Sequence, residues 1–132
     1  DLFDERVRIA LPEGHPLAAQ ATVRLAGLRE EAWTTSLPGG DFVDLLVRVC
    51  RTLGGFEPDI RHRANDIAII VALVAAGQGV SLLPGMAHAD RDERIAVRPV
   101  AGADLGRTIF AFTRRSATER PAVRALIRAL RG

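Results

Sequence analysis

Apolar residues along this chain recur in three patterns (alternation, continuous runs and helical spacing), and each pattern predicts a secondary-structure element. Segments rich in glycine and proline, such as 12–16 and 36–40, separate these elements and predict loops. The predicted strands are 2–11, 32–35, 60–63, 80–83, 95–97 and 107–113. The predicted helices are 42–53, 67–76 and one that begins near Pro121, with a short helical turn at 25–29.

The most informative stretch runs from Leu73 to Pro84, because it predicts the end of an apolar helix, a glycine stop and a short buried strand. The helix is apolar on every side, so we expect it to be buried all round or partly covered by another domain or subunit. Gly79 is expected to ease the turn into the strand. Because strands and helices alternate along the chain, a largely parallel, three-layer α/β sheet is predicted.

Charge is distributed unevenly along the 132 residues. All 18 basic residues are arginines, and the formal net charge is only +2. From Arg107 onward, seven arginines accompany a single acidic residue, which is compatible with an acidic partner such as nucleic acid. Four of these arginines recur at helical spacing, so a solvated helix face is the favoured interpretation. They are Arg120, Arg124, Arg128 and Arg131.

The ends of the chain and its cysteine content bear on its origin and compartment. The chain begins at Asp1, without a methionine and already inside a strand pattern, so we expect a fragment of a longer protein. The single Cys50 excludes an internal disulfide and suits a reducing cytoplasm. Its place in an apolar helix is typical of a small hydrophobe. No stretch reaches the roughly 18 apolar residues of a membrane helix, so no membrane association is predicted.

Catalytic and metal-binding patterns are lacking. The histidines His15, His62 and His88 lie in unrelated contexts, outside a nucleophile elbow, and are interpreted as surface residues. No histidine or cysteine pair has metal-ligand spacing, and the glycines at 77 and 79 lack the third glycine of a dinucleotide fingerprint. We therefore predict no enzymatic activity, no metal and no cofactor.

Two predicted helix N-termini follow small polar residues and form the candidate ligand site. Both would lie past the carboxyl ends of strands, where open α/β sheets bind ligands. Free N–H groups at a helix start favour a carboxylate or another small anion. The alternative is that Asp41 and Asp66 only cap their helices. The candidate ligand-binding residues are Thr34, Thr35, Ser36, Asn65, Asp66 and Ile67.

Four motifs, in order and at compatible spacing, give the chain a family likeness over about Val7 to Leu130. It resembles LysR-type transcriptional regulators, specifically the later part of their effector-binding domain. The motifs are residues 11–18 (LPEGHPLA), 25–28 (LAGL) running to Trp33, 55–58 (GFEP) and 73–84 (LVAAGQGVSLLP).

The resemblance implies an α/β fold of the periplasmic-binding-protein-like type II class, a three-layer sandwich represented here mainly by one Rossmann-like subdomain. Residues 30–104 would form the second effector-binding subdomain. Residues 1–29 would supply a strand and crossover of the first subdomain, and residues 105–132 its return strand and C-terminal helix. The opening half of the first subdomain and the winged helix-turn-helix of such regulators are expected to lie outside this chain.

By the same likeness, the chain is expected to bind a small organic effector, for which a carboxylate is one candidate, through residues 34–36 and 65–67. It would belong to a cytoplasmic homo-oligomer, a dimer or a tetramer, that meets DNA only through the N-terminal domain. The alternative from another class is a solute-binding protein of the same architecture. A hydrolase would require Cys50 or Ser36 to lie accessible beside a histidine.

Overall fold

The computed structural model describes residues 3–109 and 120–131 and contains six strands and three α-helices within them. The predicted strand at 107–113 is described only to Ile109, and its remainder lies outside the described residues. The strands are β1 (Phe3–Pro12), β2 (Ala32–Ser36), β3 (Asp59–Ala64), β4 (Ser81–Pro84), β5 (Ile95–Arg98) and β6 (Gly106–Ile109). The helices are α1 (Asp41–Val49), continued by a π-helical turn (Cys50–Gly54), α2 (Ile67–Ala75) and α3 (Pro121–Arg131).

Strand directions in the sheet are mixed. β2 and β3 are parallel, and a parallel bridge joins Trp33 to Val80, immediately before β4. β1 is antiparallel to β4, β5 and β6. The expectation of a largely parallel sheet is therefore wrong for β1. The apolar pattern determines which residues are extended, but it carries no information on the end from which a sequence-distant strand enters the sheet.

Two apolar clusters lie on opposite faces of the sheet and give the three-layer arrangement that was predicted. The cluster on the α1 face includes Trp33, Leu46 and Cys50, all fully buried. The cluster on the α2 face includes Ile70 and Val74. Helices therefore cover both faces, which explains why β4 is buried along its whole length.

The helix ends follow the predicted glycine stops, with one difference at the start of α1. Gly55 and Gly77 adopt left-handed conformations, with φ of 70° and 76°, where each helix ends. Asp66 caps α2, because its carboxylate accepts a hydrogen bond from the Ala68 N–H at 2.9 Å. The N-cap of α1 is Gly40 and not Asp41, so the prediction that Asp41 caps this helix is wrong.

The apolar helix α2 is buried on one side only. Ile70 and Val74 face the sheet, whereas Ile67 and Ile69 are 37% and 49% exposed. Burial all round, the first of the two expectations for this helix, is therefore wrong. One layer of helices on each face of a sheet can cover only the inner side of each helix.

His15 is not a surface residue, contrary to the prediction. Its Nδ1 accepts a hydrogen bond from the Leu17 N–H at 3.0 Å and caps the 3-10 helix Pro16–Ala19. Its Nε2 lies 2.5 Å from Oε1 of Glu31. Because Nδ1 accepts, the hydrogen must reside on Nε2, and the imidazole donates it to the carboxylate. His15 thus ties the loop after β1 to the residue that precedes β2.

Three of the four arginines at helical spacing agree with a solvated helix face for α3, and the side chain of the fourth, Arg131, lies outside the described ones. Arg120, Arg124 and Arg128 are all exposed. The apolar residues Leu126 and Leu130 of the same helix are also exposed, at 59% and 48%.

Candidate ligand-binding site

A cavity of about 290 Å³ lies at one end of the sheet, between the beginnings of α1 and α2. None of its lining residues is charged, and most of them are apolar. The lining residues are Thr35, Ser36, Gly40, Phe42, Ile67, Ile70, Leu82, Leu83 and Pro84.

The position of the cavity follows from the parallel part of the sheet. β2 ends at Ser36 and β4 at Pro84, so their carboxyl ends meet at the same edge. α1 begins five residues after β2 ends, and α2 begins three residues after β3 ends. The edge of the sheet therefore faces two helix N-termini, the arrangement in which open α/β sheets bind ligands.

Hydroxyl groups supply the polar part of the cavity lining. Thr35 is 4% exposed. The buried Oγ of Ser36 has no hydrogen-bond partner within residues 3–109 and 120–131. A Cβ at Gly40 would lie 3.0 Å from this oxygen, so glycine leaves space beside the hydroxyl. The N-cap of α1 is this same Gly40, which has no side chain to cap the helix. This wall offers hydroxyl groups next to an apolar surface.

The structure brings together three of the six predicted ligand residues: Thr35, Ser36 and Ile67 line the cavity. Thr34 does not line it, because it lies on the face opposite Thr35 and further than Ser36 from the edge at which the strand ends. Its side chain is fully buried, and its N–H donates to the Val80 carbonyl at 2.9 Å. Asn65 and Asp66 are exposed and lie outside the lining.

Sequence reasoning missed the apolar part of the lining. The sequence predicts a buried strand that ends with Leu82, Leu83 and Pro84, and a helix that begins at Phe42. Neither prediction indicates contact with a ligand. The available signal was the uninterrupted apolar end of β4, which brings side chains of both faces to the edge of the sheet. That pattern has the same appearance in a purely structural strand.

The described part of the chain has neither a cluster of metal ligands nor a membrane-spanning helix. Within residues 3–109 and 120–131, no group of three or more histidine, cysteine or acidic side chains could hold a metal ion. In the same ranges no helix combines the length and the apolarity that crossing a bilayer requires.

Cys50 is fully buried, and this burial together with the charge of Glu57 raises the pKa of its thiol to about 12. Near neutral pH the group is therefore protonated, and a protonated thiol is a poor nucleophile. This agrees with its predicted role as a small hydrophobe and argues against a cysteine hydrolase.

We expect Cys50 to resist iodoacetamide in the folded protein near pH 8, and to react once urea unfolds the chain, because a free thiol ionises near pH 8.5. The same raised pKa makes stability depend on alkaline pH. Well below a pH of about 8.5 both states hold the proton, whereas between about 8.5 and 12 only the unfolded thiol loses it. The free energy of unfolding should fall over that interval, and less in Cys50→Ala. Equal labelling of folded and unfolded protein would contradict the assignment.

Comparison with known families gives a match over the whole chain. The family model described as the LysR substrate binding domain matches residues 1–132. Transcriptional dual regulator GltC of Bacillus subtilis is 33% identical over 109 residues, which cover 82% of this chain and 36% of GltC. The DNA-binding transcriptional dual regulator OxyR of Escherichia coli is 35% identical over 86 residues, 65% of this chain and 28% of OxyR. The chain spans about a third of the length of these curated relatives.

Solved structures have the same fold. A full-length OxyR variant from Pseudomonas aeruginosa superposes with a TM-score of 0.81 at 28% identity, covering 99% of this chain and 49% of that one. The effector-binding domain of QuiR in complex with shikimate gives a TM-score of 0.72 at 15% identity, covering 98% of this chain and 61% of that one. The second likeness bears on the fold alone.

Proposed function

The chain belongs to the LysR substrate-binding domain family, and from this premise we propose that its cavity holds a small organic effector of a transcriptional regulator. The observation that carries the proposal is the placing of Thr35 and Ser36 against an apolar wall at the carboxyl edge of the sheet. Ligand pockets combine such apolar lining with a few placed polar groups. Asn65 and Asp66 directly precede Ile67, which belongs to this wall. They do not line the cavity, so they would contact only an effector that extends beyond it.

The effector class that these groups favour is a small organic carboxylate. An anion gains from the hydroxyls of Thr35 and Ser36, which can donate hydrogen bonds to it. Leu82 and Phe42 would contact its carbon skeleton. Asp66 opposes an anion on the α2 side, since its carboxylate already occupies the Ala68 N–H.

In the regulator that we propose, this chain contributes to both effector-binding subdomains. Residues 30–104 form the second effector-binding subdomain, and residues 1–29 and 105–132 belong to the first. The pairing of residues 3–6 with β6 supports the part of this division that joins the two ends of the chain. Residues 7–12 of β1 pair instead with β4 and β5, so the second subdomain also includes the later part of this strand. Effector binding would change how subunits of a cytoplasmic homo-oligomer present winged helix-turn-helix domains to DNA. The relatives are regulators, which disfavours the solute-binding alternative.

The proposal is tested by titrating the ¹⁵N-labelled chain with shikimate, malonate and benzoate and following amide chemical shifts. This measurement detects even millimolar dissociation constants, about −4 kcal/mol. At least one carboxylate should move the amides of Thr35, Ser36 and Ile67 together. Shifts confined to other surfaces, or none with any probe, would contradict the proposed site.

Removal of the two hydroxyls should weaken that binding. Thr35→Val with Ser36→Ala should raise the dissociation constant about fivefold or more, since one lost hydrogen bond costs about 1 kcal/mol. Thr34→Val is the matched control, because this neighbouring hydroxyl is buried and does not line the cavity. A control variant that weakens binding as much as the double variant would mean that the effect is structural.

A further inference from the structure

A register shift in β3 moves one arginine onto the face of the sheet that carries Thr35. Trp33 pairs with Ile60, but Thr34 pairs with His62, so Arg61 is an additional residue in the strand. Without the shift, His62 would pair with Thr35. With it, Arg63 does. Such bulges are common beside functional sites, where they redirect a side chain.

The redirected guanidinium does not line the cavity but contacts the backbone of a residue that does. Nη1 of Arg63 donates a hydrogen bond to the Ser36 carbonyl at 3.2 Å, and Ser36 lines the cavity. A guanidinium has five N–H donors, so one bond to a carbonyl leaves others for a further acceptor. The side chain is exposed and can reorient toward a ligand.

Arg63 and Arg61, two residues apart on β3, differ in whether an acidic side chain pairs with them. Arg61 donates to the Asp59 carboxylate at 2.9 Å and is thereby paired. Among the side chains that the structure describes, no carboxylate forms an ion pair with Arg63. Arg63 therefore brings a positive charge, held by a neutral carbonyl, to the edge of an uncharged lining.

We propose that Arg63 is the specificity-determining residue that makes this cavity prefer anionic effectors, by offering its planar guanidinium to a carboxylate seated against Thr35 and Ser36. The inference rests on the proposed function, since it requires a ligand in the cavity. A forked guanidinium matches the two oxygens of a carboxylate, and a neutral amide of the same shape lacks the charge for that contact.

The test compares benzoate with benzamide, which have the same shape and differ in charge, by amide-shift titration of the chain. The unaltered chain should bind benzoate about fivefold more tightly than benzamide, the order expected of an exposed charge pair. Arg63→Gln should remove this preference through a loss of benzoate affinity alone. Arg63→Lys should retain part of it, because the charge persists without the fork. Arg61→Gln, on the same strand, should leave it unchanged.

Each result bears on one of the two proposals. If Arg63→Gln keeps the preference for benzoate, or Arg61→Gln loses it equally, the inference is overturned while the cavity remains a binding site. Equal binding of benzoate and benzamide to the unaltered chain also overturns it and leaves the site intact. If none of shikimate, malonate, benzoate and benzamide moves the amides of Thr35 and Ser36, the proposed function fails and the inference fails with it.

Discussion

Trp33→Ala is expected to lower the free energy of unfolding by about 3–5 kcal/mol, the cost of deleting a large aromatic side chain from a core. Trp33 is fully buried in the cluster on the α1 face, and its ring lies 6.4 Å from that of Phe56. Since domains of this size are stable by about 5–15 kcal/mol, this loss is a large part of the total free energy of unfolding. Urea denaturation followed by far-ultraviolet circular dichroism measures the loss, because the variant has no other tryptophan.

Trp33→Phe is the informative partner of that variant. The indole Nε1 has no hydrogen-bond partner within residues 3–109 and 120–131, so phenylalanine removes volume without breaking a bond between described residues. We expect a loss of about 1–2 kcal/mol, intermediate between the parent and the alanine variant. If the alanine variant were within about 1 kcal/mol of the parent, the surrounding side chains would have moved to fill the space left by the ring. Trp33 would then not be closely packed in the core.

Gly79→Ala should destabilise the chain by about 1–3 kcal/mol, near the upper end, because the atom it meets belongs to the backbone. A Cβ at this position would lie 2.8 Å from the Ala32 carbonyl oxygen and 3.0 Å from Cγ2 of Thr34. That carbonyl accepts the Val80 N–H at 2.9 Å. Relief of the clash must separate the start of β2 from the segment that leads into β4. Fluorescence of Trp33 in urea gives the free energy, and amide exchange of Thr34 and Val80 reports the separation.

Alanine substitutions at two other glycines distinguish destabilisation by a steric clash from destabilisation by backbone strain. Gly14 has open space around it, so Gly14→Ala should remain within about 0.5 kcal/mol of the parent. Gly77 also has open space but a φ of 76°, so Gly77→Ala should lose about 1–2 kcal/mol through backbone strain alone. A Gly79→Ala protein as stable as Gly14→Ala would contradict the close approach of β2 and β4.

Much of the fold could be predicted because local patterns have local causes. Glycine stops at Gly55 and Gly77, the cap at Asp66 and the buried strand before Pro84 all depend on residues a few positions apart. The cap at Asp41 was assigned one residue too late, because a glycine N-cap carries no side-chain signal. The direction of β1 has no local cause, since its partners follow it by dozens of residues.

Three of the nine residues that line the cavity could be predicted for the same reason. Thr35 and Ser36 follow from the rule that ligands bind past the ends of parallel strands. Thr34 was included with them because the pattern of three polar residues does not tell which face each occupies. Arg63 was not predicted at all, because its face depends on a one-residue register shift against β2.

The sequence by itself determined the elements, the three layers and the likeness to a family, because apolar periodicity, caps and motif order are properties of short segments. The tertiary structure alone decided the direction of β1, the exposed side of α2 and the residues that meet around the cavity. These depend on pairing between distant strands, in which a shift of one residue exchanges the faces of all that follow.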